Sequence, residues 1–267
     1  MTDLQWNIFC TFRNSFKQKC KEWSEFSKEL IPLQKAACAA DTPPYPIETP
    51  VVYNTALDDL TKDSEIKLIV IGDNPGKSEQ LASNQKYLVG QAGKIAQGFF
   101  ERNPELGVDF RKNAIILNKT PVHSAKTKHL NYIDRALKEA ESKAHDLILE
   151  SQVWMAKETA LLHKLLVQAA LHADGPELWL VGYAELKKGG IFIPYKEALK
   201  STYCGAVAAM DAGTATCDDS WDKVFVFQHF SMNRFLIDLK QFRDQNPELS
   251  LSQAIAKTGT IHKNEIF

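Results

Sequence analysis

The apolar residues of this chain follow two different patterns. Four short runs are continuous: Lys67-Leu68-Ile69-Val70-Ile71, Ala114-Ile115-Ile116-Leu117, Leu178-Trp179-Leu180-Val181 and Val224-Phe225-Val226-Phe227. Such short runs, bounded by Gly, Pro, Asn or Asp, predict strands buried on both faces. The stretches between them carry three- and four-residue spacing. Helices are predicted from Gly90 to Phe100, from Asn131 to roughly His172 with room for more than one, over Tyr195–Leu199, and from Asn233 to Phe242 with Phe235, Leu236, Leu239 and Phe242 on one face. Strands alternating with helices predict a parallel sheet with crossover connections. If the strands all point one way, the residues at their ends converge on one rim: Asn74, Asn118 and His229.

Ahead of the first run, Phe9, Phe12, Phe16, Cys20, Trp23, Phe26 and Leu30 form one helical stripe, and Pro43, Pro44, Pro46 and Pro50 mark an extended connector. The expected organisation is an N-terminal helical extension and connector over residues 1–60, an α/β domain over 61–245, and a short helix and tail over 246–267. The basic face of the first helix is read as solvated, with a DNA-contacting arm as the alternative. With 267 residues, 44% of them hydrophobic and 24% charged, the chain can bury a sizeable core. No run is long enough for a bilayer span and no secretory leader is visible. Net charge is −1 and pI about 6.7, which excludes a strongly basic nucleic-acid glue but not a local basic face. Five cysteines with no CxxC pair, Cys10, Cys20, Cys38, Cys204 and Cys217, read as ordinary thiols and fit a reducing, cytoplasmic setting. A monomer without membrane contact is expected.

The loop after the first run, Gly72-Asp73-Asn74-Pro75-Gly76-Lys77-Ser78, admits two readings. As a phosphate loop it fails on spacing, because three residues rather than four separate Gly72 from the Gly76-Lys77 pair, and Pro75 removes a backbone donor. The other reading rests on several segments in order. Gly72-Asp73-Asn74-Pro75-Gly76 resembles the first motif of the uracil-DNA glycosylase superfamily, written GINPG, GMNPG or GEAPG in its branches. Tyr87-Leu88-Val89-Gly90-Gln91-Ala92-Gly93 is similar to the PFVGxAG segment of the iron–sulfur branches. Leu117-Asn118 is similar to the strand end carrying the uracil-reading Asn, Leu180-Val181-Gly182-Tyr183-Ala184 to the LG-x-x-A pattern, and His229-Phe230-Ser231-Met232-Asn233 to the HPSP motif. The resemblance spans about residues 64–240. It implies a three-layer α/β/α sandwich around a mostly parallel sheet of about four strands. Departures exist: Phe230 and Met232 replace both prolines of HPSP, the four cluster-binding cysteines are absent, and Lys119-Thr120-Pro121-Val122-His123 replaces an Arg-Pro-rich stretch.

The activity implied is hydrolysis of the N-glycosidic bond of uracil, or of a related damaged base, in DNA during base-excision repair. Such chemistry must stabilise a cationic sugar and an anionic base and must place a water. By the resemblance Asn74 orients that water, while Asp73, at the acidic position of GEAPG, is the alternative as base or cation stabiliser; a purely structural Asp73 would cap the turn. His229 would donate to the base O2. Asn118 offers the acceptor and donor that the uracil edge needs and cytosine reverses. Tyr87 would stack on the flipped base or else pack beneath the loop. Gly72, Gly76 and Ser231 complete the expected binding set, with Gly76 and Ser231 on flanking phosphates. Met232, Asn233 and Arg234 are expected at the DNA, with Asn233 alternatively capping the next helix. His123 and Lys126 could touch substrate but read first as a solvated loop. No cofactor and no metal are expected. Two other readings stay open: a non-catalytic nucleic-acid-binding protein with the same pocket, and a glycosylase for another lesion such as hypoxanthine.

Overall fold

The computed structural model describes residues 1–170, 175–205 and 216–267. Four strands, β1 (Leu68–Gly72), β2 (Ala114–Asn118), β3 (Glu177–Val181) and β4 (Val224–Phe227), form one all-parallel sheet in the order β2-β1-β3-β4. Every residue of β1, β2 and β4 is buried, as the unbroken apolar runs require of strands covered on both faces. The helices make the outer layers of a three-layer α/β/α sandwich. They are α1 (Asp3–Ser24), α2 (Ser27–Cys38), α3 (Gln91–Arg102), α4 (His129–Glu139), α5 (Leu147–Gln168), α6 (Ile193–Cys204), α7 (Arg234–Gln245) and α8 (Leu251–Ile266). The expected helical reach to His172 lies outside the described residues.

On one face α3 and α7 meet through Phe99 and Phe235, and Phe235 also packs on Trp179 of β3 and Phe227 of β4. On the other, α5 packs along α6, α1 lies on α5 and α2 on α4. The N-terminal stripe is the reason: Phe9, Phe12, Phe16, Cys20, Trp23 and Leu30 are all buried, Phe16 stacks on Trp154 of α5, and these residues join the same hydrophobic core as the sheet. The stripe is split between two helices, with Phe26 at the junction.

Two expectations need correction. The C-terminal residues are not a short helix and tail: α8 runs 16 residues from a Ser250/Gln253 capping box and packs on β4, where Gly259 sits against Phe225 and Phe227. Its buried face includes Thr258, Gly259, His262 and Lys263, small or polar residues that hide the apolar period. Nor are all five cysteines thiols. Cys204 and Cys217 are disulfide-bonded, brought together where Asp218 N–H donates to the Tyr203 carbonyl, while Cys10, Cys20 and Cys38 are free. Among the described residues no helix is long and apolar enough to cross a membrane.

Candidate functional site

Sheet order determines where a ligand can sit. The connection from β1 goes one way, to β2, and the chain later returns to add β3 on the opposite side, so the carboxyl ends of β1 and β3 flank a topological switch point. A cleft of about 710 Å3 opens there. Each strand end contributes to the cleft wall: Asp73 and Asn74 after β1, Asn118 at the end of β2, Gly182 after β3, and Gln228 and His229 after β4. Gly76, Ser231, Met232 and Arg234 line it too.

Asn118 is buried, and its Nδ2 has no hydrogen-bond partner. Such an orphaned donor costs about 1–3 kcal/mol unless something accepts from it. Parallel register pairs Gly72 with Asn118, and a Cβ on Gly72 would lie 2.4 Å from Asn118 Oδ1, so glycine is what lets this carboxamide lie across the strand ends. Gly72 supports the site from below and does not line the cleft. Asn74 is held by its amide protons, with Nδ2 donating to Ser124 Oγ (2.9 Å) and to the carbonyls of Ser124 and Pro75 (both 3.1 Å). Its Oδ1 accepts from none of the described residues.

His229 Nδ1 accepts the Ser231 backbone N–H at 3.0 Å and lies 2.7 Å from Ser231 Oγ. An Nδ1 that accepts leaves the proton of the neutral ring on Nε2. Burial, together with repulsion from Lys119 and Arg234, holds this imidazole below its usual pKa against the opposing pull of Asp73, so the ring presents a neutral N–H. Asp73 is paired on both oxygens: Lys119 Nζ donates to Oδ1 at 2.5 Å, and Thr127 Oγ1 donates to Oδ2 at 3.2 Å. Lys119 has no exposed surface, and its ammonium also donates to the Val181 carbonyl at 2.5 Å. Burial pushes its pKa down and Asp73 pulls it back up.

Several sequence expectations differ from these positions. Tyr87 is no wall of the cleft. It is 1% exposed, and its hydroxyl donates to the Val52 carbonyl, because the chain turns at Leu88 (φ 51°) and sends the ring inward. Leu88 lines the cleft instead. Tyr87→Phe is therefore expected to cost stability, about 1–2 kcal/mol for one buried hydroxyl, and to leave ligand affinity unchanged; chemical denaturation beside a binding titration measures both. The Gly76 N–H is not free for phosphate, since Glu79 Oε2 takes it at 3.0 Å. Ser231 serves His229 with both its N–H and its hydroxyl. Asn233 makes no side-chain cap; it and Met232 both adopt left-handed backbone, and Met232 stands 67% exposed at the cleft mouth. Consecutive left-handed residues other than glycine store strain, which is common where a loop meets a ligand. His123 is wholly buried between the Pro75 carbonyl and the Tyr45 hydroxyl, not in a solvated loop. Lys126 does line the cleft, tied to Asp41 of the connector.

Glu79 and Lys119 were not singled out by the sequence. Glu79 is buried on the cleft wall, and desolvation pushes its pKa up to about 7 against the Gly76 N–H. Nothing in the residue types marks either, since a lone Lys or Glu beside a motif reads as solvated. Among the described residues no group of His, Cys, Asp and Glu has the arrangement to hold a metal ion. Comparison with known proteins leaves the chain without a match among family models, curated proteins or solved structures.

Proposed function

We propose that this chain is a divergent uracil-DNA glycosylase-like hydrolase that releases uracil, or a closely related damaged base, from DNA. The observation that carries the proposal is the set of unfilled hydrogen-bonding positions on one cleft: an Asn74 oxygen without a partner, a buried Asn118 donor without a partner, and a neutral His229 N–H. A flipped uracil would place O4 at Asn118 Nδ2 and O2 at His229 Nε2–H. Cytosine would set its own amino group against Asn118. As the C1′–N bond breaks, its electron pair leaves on the base, where the His229 N–H meets the growing charge. Water held by Asn74 Oδ1 adds to C1′, and its proton passes to solvent. The motif order in the sequence supports this reading. Lys77 and Arg234 around the cleft supply positive charge for flanking phosphates, while Lys126 and Lys128 are paired with Asp41.

An assay for abasic sites on single- and double-stranded oligonucleotides carrying uracil, hypoxanthine or an undamaged base tests it. Excision of uracil is expected, and Asn118→Ala should lower it by a loss of about 1–3 kcal/mol, roughly tenfold to hundredfold, while the melting transition holds. Binding to these oligonucleotides without release of any base would replace the enzyme with a non-catalytic binding protein.

A further inference from the structure

Lys119, fully buried behind the cleft, is not exposed to anything that binds there, yet it touches a residue that is. Asp73 lines the cleft and Lys119 does not. The ammonium sits behind the carboxylate, held to Oδ1 at 2.5 Å, with the carbonyls of Val181 (2.5 Å) and Gly72 (3.5 Å) completing its shell. It thus draws together the carboxyl ends of β1, β2 and β3 at the switch point. The neighbouring backbone is shaped around the pair. Gly182 has φ +97°, and a Cβ there would fall 2.2 Å from Asp73 Oδ1 and 3.0 Å from Lys119 Nζ, so any larger residue would displace the pair. Phe192 lies against the ammonium, 4.9 Å from ring centroid to Nζ.

We infer that Lys119 is a positioning residue that fixes Asp73 as an ionised carboxylate facing the cleft, making it a stabiliser of positive charge on the bound sugar and not the acceptor of the water's proton. The inference deepens the glycosylase reading and rests on it. The physical case is one of preorganisation. A carboxylate pinned on both oxygens cannot turn, and with its counter-ion behind it the pair is a fixed dipole with the negative end toward the cleft. Proton uptake by Asp73 would leave the Lys119 charge buried without a partner, which is costly. The other ionisable groups facing this pair are Glu185 beside Lys119, and His229, itself faced by Arg234.

The test uses Lys119→Met, Asp73→Asn and the double variant Lys119→Met/Asp73→Asn, which leaves no buried charge. Single-turnover uracil excision is followed against pH, and denaturant unfolding of the four proteins closes a double-variant cycle. Either single variant should lower the unfolding midpoint more than the double variant does, because it strands one buried charge. In Lys119→Met excision at neutral pH should fall about a hundredfold, with a pH profile that departs from wild type on the acid side. The double variant should fold as wild type does and remain slow. Additive unfolding midpoints, or a lower rate with the wild-type pH profile, would overturn the inference and make Lys119 merely structural. If Lys119→Met does not fold, the double variant decides: wild-type rates there overturn the role. Non-additive midpoints in a protein that excises no base would sink the glycosylase reading and leave the fixed pair standing.

Discussion

Asn74→Ala and Asp73→Asn are expected to damage the protein in different ways. Within the proposed reaction Asn74→Ala removes a side-chain oxygen that accepts from none of the described residues, and single-turnover excision should fall about 10²-fold, the scale seen when a reacting group is displaced by an ångström. The protein should stay folded, losing about 1–2 kcal/mol for the hydrogen bonds to Ser124 and Pro75. Asp73→Asn keeps the size of the side chain but strands the Lys119 ammonium, a change worth about 3–5 kcal/mol of stability for a buried pair broken on one side. Its signature is thus a lowered unfolding midpoint together with a lowered rate. The similarity of the Tyr87–Gly93 segment to the iron–sulfur branches inclines the sequence toward Asp73 as the group that handles water. Within the proposed reaction, the filled oxygens of Asp73 favour Asn74 for that task. Equal rates in Asn74→Ala and wild type, with both proteins folded, would return the water to another residue.

The legible and the illegible parts of this chain separate along physical lines. The four strands and their order of delivery could be read because a strand covered on both faces must be apolar throughout, and the shortness of the runs, their β-branched and aromatic residues and the flanking Gly, Pro and Asn favour strand over buried helix. Their ends could be read as a convergent rim because parallel strands all present the same edge. What could not be read is where a side chain points after a bend. Tyr87 turns into the core because Leu88 takes a left-handed conformation, and the Leu88 carbonyl lies so close to Gly93 that a Cβ there would sit 1.4 Å away. Neither constraint is visible in residue types. Burial of polar groups was missed for a similar reason. Lys119 and His123 are polar, so they read as solvent-facing, yet each is enclosed by partners from distant segments: Lys119 by Asp73 and Val181, His123 by Tyr45 and Pro75. The C-terminal helix is expected but reads too short in the sequence, because the inward face of α8 uses Thr258, Gly259 and Lys263, residues suited to close approach to β4 and to the Trp221 carbonyl.

Acid should weaken this fold through histidines far from any chemistry as well as through those near it. His163 of α5 is buried, with Nε2 donating to the Pro176 carbonyl (2.9 Å) and Nδ1 accepting from the Tyr203 hydroxyl (2.7 Å). Burial pushes its pKa down to about 4, and the same cause puts His123 at about 4. In the unfolded chain each would titrate near the ordinary value of about 6.5. The folded state therefore binds fewer protons between those values. Each histidine contributes its full stabilisation above about pH 6.5, and that contribution shrinks as pH falls, until it is gone below about pH 4. The separation corresponds to about 3 kcal/mol per histidine. Glu79 works against them: its folded pKa of about 7 lies above the ordinary carboxyl value, so between about pH 7 and 4.3 it adds stability as pH falls. A wild-type curve alone would mix these opposing slopes, and the difference from a variant isolates one of them. His163→Gln keeps a donor for the Pro176 carbonyl and cannot titrate. Measured by denaturant unfolding at steps from about pH 7 to pH 4, wild type should lose about 3 kcal/mol more than His163→Gln across the window. Parallel curves for the two proteins would mean that His163 is protonated as easily inside the fold as outside it, which its enclosure by Tyr203 and Pro176 does not allow.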